Sequence, residues 1–416
     1  MLFRSPKMTS VGPLAGIRIL DLSSIVLGPL ATLILAGLGA EIIKIEAPEG
    51  DNVRNAGVMK RDGMGHVFLH NNRGKKSLVL DLKQASARDA LISLADNADV
   101  LLTNVRPAAM KRLGLDYQTL AQRNPRLIYV GACGYGGCGP YADKAAYDDL
   151  IQGATGIPWL IQQYAGGEPA YAPISLADRV TGLHVVYAVT TALYARERSG
   201  KGQEVEVAMF ESVAHFVLAD HMAGRTFEPP QGEAGYDRLL SPHRRPYRTA
   251  DGYLCVLIYN DRQWRRFLDI IGKPELFDTD PRFSSQPSRS RHIRFIYAWV
   301  SEIMPSRTTA EWQGLLDAGD IPNQTINSID DLLNDPHLLQ TGFIDLQEHP
   351  TEGRVRTLGN PTAWSDTPLG DIAPAPLLGQ HSAEILREAG LTEENIAAMI
   401  ASGATIGSSQ DQPHEI

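Results

Sequence analysis

Ile17-Arg18-Ile19-Leu20-Asp21-Leu22, then Gly28-Pro29 opening a run that closes at Leu38-Gly39, then Glu41-Ile42-Ile43-Lys44-Ile45-Glu46: this stretch decides the fold. The outer segments are short, aliphatic and β-branched, which reads as buried strand. Pro29 suits the first position of a helix and Gly39 its end. Strand, helix, strand implies a crossover and a parallel pair. The pattern recurs. Ser77–Leu82 reads as strand, Ser86–Ala95 as helix and Val100–Thr103 as strand. Pro107–Leu113 and Tyr117–Gln122 read as short helices and Leu127–Gly131 as strand. The expected class is α/β, with a doubly wound, mostly parallel sheet.

Further on, Gln203–Val207 alternates as a half-exposed strand, and Glu211–Ala223 reads as helix. Composition shifts at Phe227-Glu228-Pro229-Pro230-Gln231-Gly232, a linker. Tyr247–Gly342 differs in character, with a short strand pair around Asp251-Gly252 and mostly helix from Asp261. Trp264, Trp299 and Trp312 there have helical neighbours and read as core. Strand and loop return over Phe343–Trp364, followed by helices at Ala383–Ala389 and Glu393–Ala401. The expected organisation is a leader (1–12), a large domain (13–225), an inserted smaller α+β domain (226–340), a return to the large domain (341–405) and a disordered polar tail (406–416).

The 416 residues carry a net charge of −9 and no long basic run, which argues against nucleic acid. The apolar stretch Ile25–Leu38 is broken by Gly28-Pro29 and is too short to cross a membrane. Met1–Val11 has no apolar core and does not read as a signal peptide. Three cysteines, Cys133, Cys138 and Cys255, fit a reducing, cytoplasmic setting rather than a disulfide framework. Neither Cys-x-x-Cys nor a His cluster accompanies them, so no metal is expected, and a catalytic thiol is the alternative role. After the first strand the chain offers only Gly28 where a dinucleotide site needs G-x-G-x-x-G, and it has no P-loop. NAD and ATP are disfavoured.

In Pro173-Ile174-Ser175-Leu176-Ala177-Asp178-Arg179-Val180-Thr181-Gly182, one carboxylate arrives at the start of a helix that runs apolar through Val185, Val186 and Val189 to Tyr194. The positive helix end should keep Asp178 ionised. Spacing alone leaves it as either a helix cap or a nucleophile.

Several stretches taken in order resemble the class III CoA-transferase family, the group that contains formyl-CoA transferase and carnitine CoA-transferases. They are Leu14–Leu22, Gly28-Pro29, Leu38–Glu46, Asn72-Arg73-Gly74-Lys75-Lys76-Ser77, Leu80–Lys83, Ala98-Asp99-Val100, Asn104-Val105-Arg106-Pro107, Leu113-Gly114, Ser199–Gln203 and Ala375–His381. The likeness runs from about residue 13 to 395. It implies a catalytic aspartate, which falls on Asp178. It implies coenzyme A contacts at Val26, Leu27, Leu80, Asp81, Leu82, Lys83, Asn104, Val105, Arg106, Arg112 and the stretch Ala145–Asp148. Val26-Leu27 is apolar where relatives are more polar, and Ala47 stands where a relative has arginine. Arg106 and Arg112 are suited to phosphates. The resemblance also implies an interlocked homodimer whose large domain uses both chain ends.

The implied reaction moves CoA from an acyl-CoA, such as succinyl-CoA, to a small carboxylate or dicarboxylate, with a CoA thioester as substrate and no prosthetic group. Asp178 would form a mixed anhydride and then an aspartyl-CoA thioester. Every nucleophile is already an anion, so no general base is required. Gly134 to Gly139 and Gly153 are the candidate oxyanion donors. His243-Arg244-Arg245-Pro246-Tyr247-Arg248 reads either as a solvated basic loop or, through Arg244 and Arg245, as a clamp for a second carboxylate. The poly-glycine loop of formyl-CoA transferase is replaced by Gln231–Tyr236, which argues against formate–oxalate exchange. Two alternatives stand beside this reading. An α-methylacyl-CoA racemase of the same fold needs a His where Tyr147 stands, and a tyrosine is a poor base near neutral pH. A non-catalytic acyl-CoA-binding protein is the other.

Overall fold

The structure, a computed structural model, describes residues 11–407. The leader and tail expectations fall almost wholly outside them. The chain divides into two compact units. The first gathers the described residues up to Thr155, Ala172–His215 and those from His337 onward; the second gathers Gly156–Tyr171 and Phe216–Pro336.

In chain order the elements to His221 are β1 (Arg18–Leu22), α1 (Leu27–Gly37), β2 (Glu41–Glu46), α2 (His66–Asn71), β3 (Lys75–Val79), α3 (Ala85–Ala95), β4 (Val100–Thr103), α4 (Pro107–Leu113), α5 (Tyr117–Arg123), β5 (Ile128–Cys133), α6 (Asp148–Ala154), α7 (Ile157–Ala165), α8 (Leu176–Ser199), β6 (Glu204–Ala208) and α9 (Met209–His221). The six strands form one sheet in the order β3-β2-β1-β4-β5-β6, every pair parallel. Ile19 of β1 pairs with Ile42 on one side and Val100 on the other. This is the doubly wound α/β sheet that the strand and helix spacing predicts. β3 is shifted from the expected Ser77–Leu82, because the backbone beyond Val79 turns to other partners: Asp81 N–H donates to the Ala404 carbonyl at 2.9 Å.

Alternate strand residues feed opposite faces. Leu20, Leu22, Ile43 and Ile45 pack with Leu91 and Leu94 of α3 and with Ile385, Leu386, Ile396 and Met399 near the C-terminus. Toward α1, Asp21 is fully buried, and Thr32 of α1 donates its hydroxyl to it at 2.6 Å. Helix α8 lies against α1 so closely that a Cβ on Gly182 would sit 2.9 Å from the Leu27 carbonyl.

Buried charge organises the sheet's carboxyl edge. Lys75 Nζ reaches Asp21 at 3.2 Å, the Asn72 side chain at 2.8 Å and the Pro29 carbonyl at 3.0 Å. Lys44 Nζ donates to Asp51 and to the Ser23 carbonyl, each at 2.9 Å. Arg54 makes two 2.7 Å bonds to Glu46. Burial opposes charge on Asp21, yet Lys75 and Lys44 hold its carboxyl below the usual range. Burial pulls the Lys75 ammonium down, to about 7, against the attraction of Asp21. Asp51 also accepts the Ile25 N–H at 3.1 and 3.2 Å. That clamp holds Ile25 at φ 74°, a left-handed conformation costly for a β-branched residue.

The second unit has its own core. Three antiparallel strands, Tyr247–Arg248, Tyr253–Val256 and Asn323–Thr325, accompany helices Asp261–Ile270 and Thr309–Ala318, each opened by a capping box, at Asn260 and Thr308. Trp264, Phe267, Phe283 and Trp312 are buried there, and Trp299 packs partly buried against them. The unit also takes in α7, which the sequence reading left in the large domain. Tyr164 of α7 donates its hydroxyl to the Arg244 carbonyl at 2.7 Å.

Replacing Lys75 with Met leaves Asp21 buried without its nearest cation. Urea unfolding at pH 7 should show a loss of about 3 kcal/mol or more; an unchanged midpoint would mean that the pair is not needed.

Candidate active site

The order of the sheet reverses between β1 and β4, and in such sheets the crevice beyond the carboxyl ends at the reversal is the ligand-binding place. Ser24 after β1 and Asn104 after β4 close it from below. Ser24 N–H donates to Asn104 Oδ1 at 3.1 Å, and Asn104 Nδ2 donates back to the Ser24 carbonyl at 3.0 Å. The Asn104 amide is therefore spent on joining two loops. Val26 and Leu27, at the start of α1, are buried, which suits backbone or apolar contact only. Gly28 allows this close turn, since a Cβ there would run into the Ser23 side chain.

The remaining residues singled out by sequence in the first unit lie at the same sheet edge or on the helices that follow it. Leu80 is buried, and Asp81 accepts the Lys83 N–H at 3.1 Å and the Gln84 side chain at 3.2 Å. Leu82 is half-buried and Lys83 exposed. Val105, Arg106 and Arg112 are exposed, and among the described residues neither arginine forms an ion pair. Within the second unit Arg244 and Arg245 are exposed and unpaired by the same measure. Ala145–Tyr147 lead into α6, with Tyr147 exposed and Asp148 opening the helix.

Asp178 occupies the first turn of α8, a 24-residue helix that ends at Gly200 with φ 73°. The cap position belongs to Ser175, whose side chain makes no capping bond. The Asp178 backbone N–H donates instead to Asp148 Oδ1 at 2.9 Å. Its own carboxylate accepts no hydrogen bond among the described residues, so it is not a helix cap. Burial and the nearby Asp148 carboxylate push the Asp178 carboxyl up to about 7, against the pull of Arg179. The expectation that the helix end keeps it firmly ionised is thus corrected. Desolvation and the like charge of Asp148 outweigh the helix dipole.

The Gly-rich loop is corrected in part, at Gly136, Gly137 and Gly139. Gly136 N–H donates to Glu211 at 3.0 Å, Gly137 N–H to both Glu206 oxygens at 3.0 and 3.1 Å, and Gly139 N–H to the Gly136 carbonyl at 3.1 Å. Gly153 lies inside α6. These N–H groups are occupied and cannot serve an oxyanion as they stand. Burial pushes the Cys133 thiol up, to about 12, which disfavours a thiolate. Among the described residues no group of His, Cys, Asp or Glu could hold a metal ion, and no helix is long and apolar enough to cross a membrane.

Sequence reasoning missed Gln152, which is fully buried between Asp148 and the loop before α8. No motif marks it. It also missed Lys44 and Asp51, although a lysine inside an otherwise apolar buried strand signals a partner.

Comparison with known proteins adds the following. The family model described as CoA-transferase family III matches residues 14–382. The chain is 35% identical to a succinate–glutarate CoA-transferase of Agrobacterium fabrum, over 90% of this chain and 95% of that one. It is 32% identical to a formyl-CoA:oxalate CoA-transferase of Rhodopseudomonas palustris, over 94% and 97%. The crystal structure of Rv3272 from Mycobacterium tuberculosis superposes with a TM-score of 0.77 at 31% identity, covering 90% of this chain and 99% of that one.

Replacing Asp148 with Asn removes the negative charge that opposes ionisation of Asp178. The midpoint of carbodiimide labelling at Asp178, followed by peptide mass spectrometry across pH 4–9, should fall by about one unit or more from near 7. A midpoint that stays put would assign the perturbation to burial alone.

Proposed function

Because the chain belongs to CoA-transferase family III, we propose that it moves coenzyme A from an acyl-CoA to a carboxylic acid, with Asp178 as the group that is acylated and then carries the CoA. The carrying observation is the Asp178 carboxyl itself. It is half-buried at a helix start and neither caps that helix nor makes an ion pair among the described residues. A desolvated carboxylate with no competing partner is a stronger nucleophile than one in water, and above pH 7 most of it is ionised.

The steps balance without a base. The Asp178 carboxylate attacks the thioester carbonyl, and the C–S bond breaks to give a mixed anhydride and CoA thiolate. The thiolate attacks the aspartyl carbonyl, releasing the donor acid and leaving an aspartyl-CoA thioester. The acceptor carboxylate then attacks that thioester, and the freed thiolate takes the acceptor's acyl group, returning Asp178 as carboxylate. Water has to be kept from the anhydride. In this reading Arg106 and Arg112 bind CoA phosphates, and Val26, Leu27 and Leu80–Lys83 supply apolar and backbone contact. Asn104 acts by fixing the loop. The homodimer implied by the motif pattern belongs to the same proposal.

For the acid exchange partners we favour a dicarboxylate with succinyl-CoA as donor. The succinate–glutarate relative supports this. The acceptor role that the sequence reading offers for Arg244 and Arg245 belongs to the same proposal. A coupled assay over a panel of mono- and dicarboxylates with several acyl-CoA donors tests it; the dicarboxylates should show the highest kcat/KM.

Incubation with acyl-CoA and hydroxylamine should convert Asp178 to a hydroxamate. Asp178→Ala and Asp178→Asn should lose exchange by on the order of 10³-fold or more while keeping the far-UV circular dichroism spectrum. Undiminished turnover in either variant ends the proposal. Exchange of the substrate α-proton in deuterated water with no adduct would instead indicate the racemase, and acyl-CoA binding with neither outcome a binding protein.

A further inference from the structure

The side chain of Gln152 is fully buried in α6 and its amide is completely engaged. Nε2 donates to Asp148 Oδ2 at 2.6 Å and to the Ile174 carbonyl at 3.3 Å. Oε1 accepts the Ala172 N–H at 2.9 Å. Only one orientation of the amide satisfies all three, since the nitrogen faces two acceptors and the oxygen a donor. The other Asp148 oxygen receives the Asp178 N–H at 2.9 Å. The loop over Ala172–Ser175 and the first turn of α8 are therefore tied to α6 at Ala172, Ile174 and Asp178, and α8 is capped from outside by Asp148 in place of Ser175.

We infer that Gln152 is a positioning residue for the reaction. Through Asp148 it fixes the first turn of α8 and so the direction of the Asp178 carboxyl, while touching neither substrate nor Asp178. The inference rests on the reading that Asp178 is acylated. Within the loop the Ile174 carbonyl accepts the Leu176 N–H at 2.7 Å, while Asp148 is the side chain that holds the Asp178 N–H. Releasing Asp148 loosens the turn that carries the nucleophile, and a misplacement of about 1 Å costs as much as 10²-fold in rate. The fully hydrogen-bonded Asp148 also stays in place as the charge that opposes ionisation of Asp178, with Arg179 the group acting the other way.

The test is single-turnover acylation by succinyl-CoA, trapped as the Asp178 hydroxamate, measured against pH with the full chain. Gln152→Glu sets a carboxylate against Asp148 where a donor stood. The rate should fall on the order of tenfold or more, with KM for the acyl-CoA within about twofold and the acidic limb of the profile moved to higher pH. Combining Asp148→Asn with Gln152→Glu returns a donor–acceptor pair of reversed polarity at position 148, while the Ile174 carbonyl stays without its donor. It should restore part of the lost rate and bring the limb back to or below its original position. If Gln152→Glu does not fold, Gln152→Met removes the donors without adding charge. It should lower the rate at unchanged KM. A purely structural role would lower the fraction of active protein and leave the limb where it was. Wild-type rate and limb in a folded Gln152→Glu protein, or no recovery in the folded double variant, overturns the inference alone. If the wild-type protein gives no Asp178 adduct, the proposed function and this inference fall together.

Discussion

The buried pair of Lys44 and Asp51 constrains the β1–α1 loop at the candidate site. Lys44 belongs to β2, yet its ammonium reaches across to the Ser23 carbonyl, while Asp51 grips the Ile25 N–H. Two charges withdrawn from water are costly unless every lone pair and proton finds a partner. Here the partners are the backbone of the β1–α1 loop, so the electrostatic requirement becomes a geometric one. The loop can close only with Ile25 in its left-handed conformation, and that puts Val26 and Leu27 at the start of α1. The neighbouring pairs, Asp21 with Lys75 and Glu46 with Arg54, extend the same principle along β1, β2 and β3.

At Asp178 two physical tendencies compete. A carboxylate in the first turn of a helix is ordinarily favoured by the dipole and the free N–H groups. Here Asp148 has taken the N–H and added its own charge, and the half-buried carboxyl has no donor among the described residues. The result is an acid that titrates near neutrality, ready to be either ionised or protonated. Asp148 thus does the capping that Asp178 would do on an ordinary helix, and this division of labour leaves the Asp178 carboxyl unbonded among the described residues. The glycine loop shows the reverse outcome. Its N–H groups look available on sequence, but Glu211 occupies that of Gly136 and Glu206 that of Gly137, which ties this part of the loop to α9 and β6.

Much of the first unit was legible from residues 17 to 46 onward. Strand length, Pro29 and Gly39 report local propensity and local punctuation, which do not depend on distant parts of the chain. β2 and β4 match their expected bounds residue for residue. The misses share a cause. α6 and α7 lie in a stretch of weak periodicity. The displaced end of β3 reflects a hydrogen bond to Ala404, more than three hundred residues away. Asp178 was legible as a residue of interest because its type and its place at a helix start are local facts. Its state of ionisation was not, because that depends first on burial and then on Asp148, thirty positions earlier in the chain.

The sequence alone determined the alternation of strand and helix, the parallel sheet it builds and the identity of the lone carboxylate at the start of the long helix, because each rests on periodicity, turn chemistry and motif order. Tertiary structure decided which charges are buried together, which N–H groups are already occupied and how strongly Asp178 holds its proton. Those depend on distances and on exclusion of water between segments remote in the chain, and no local pattern encodes either.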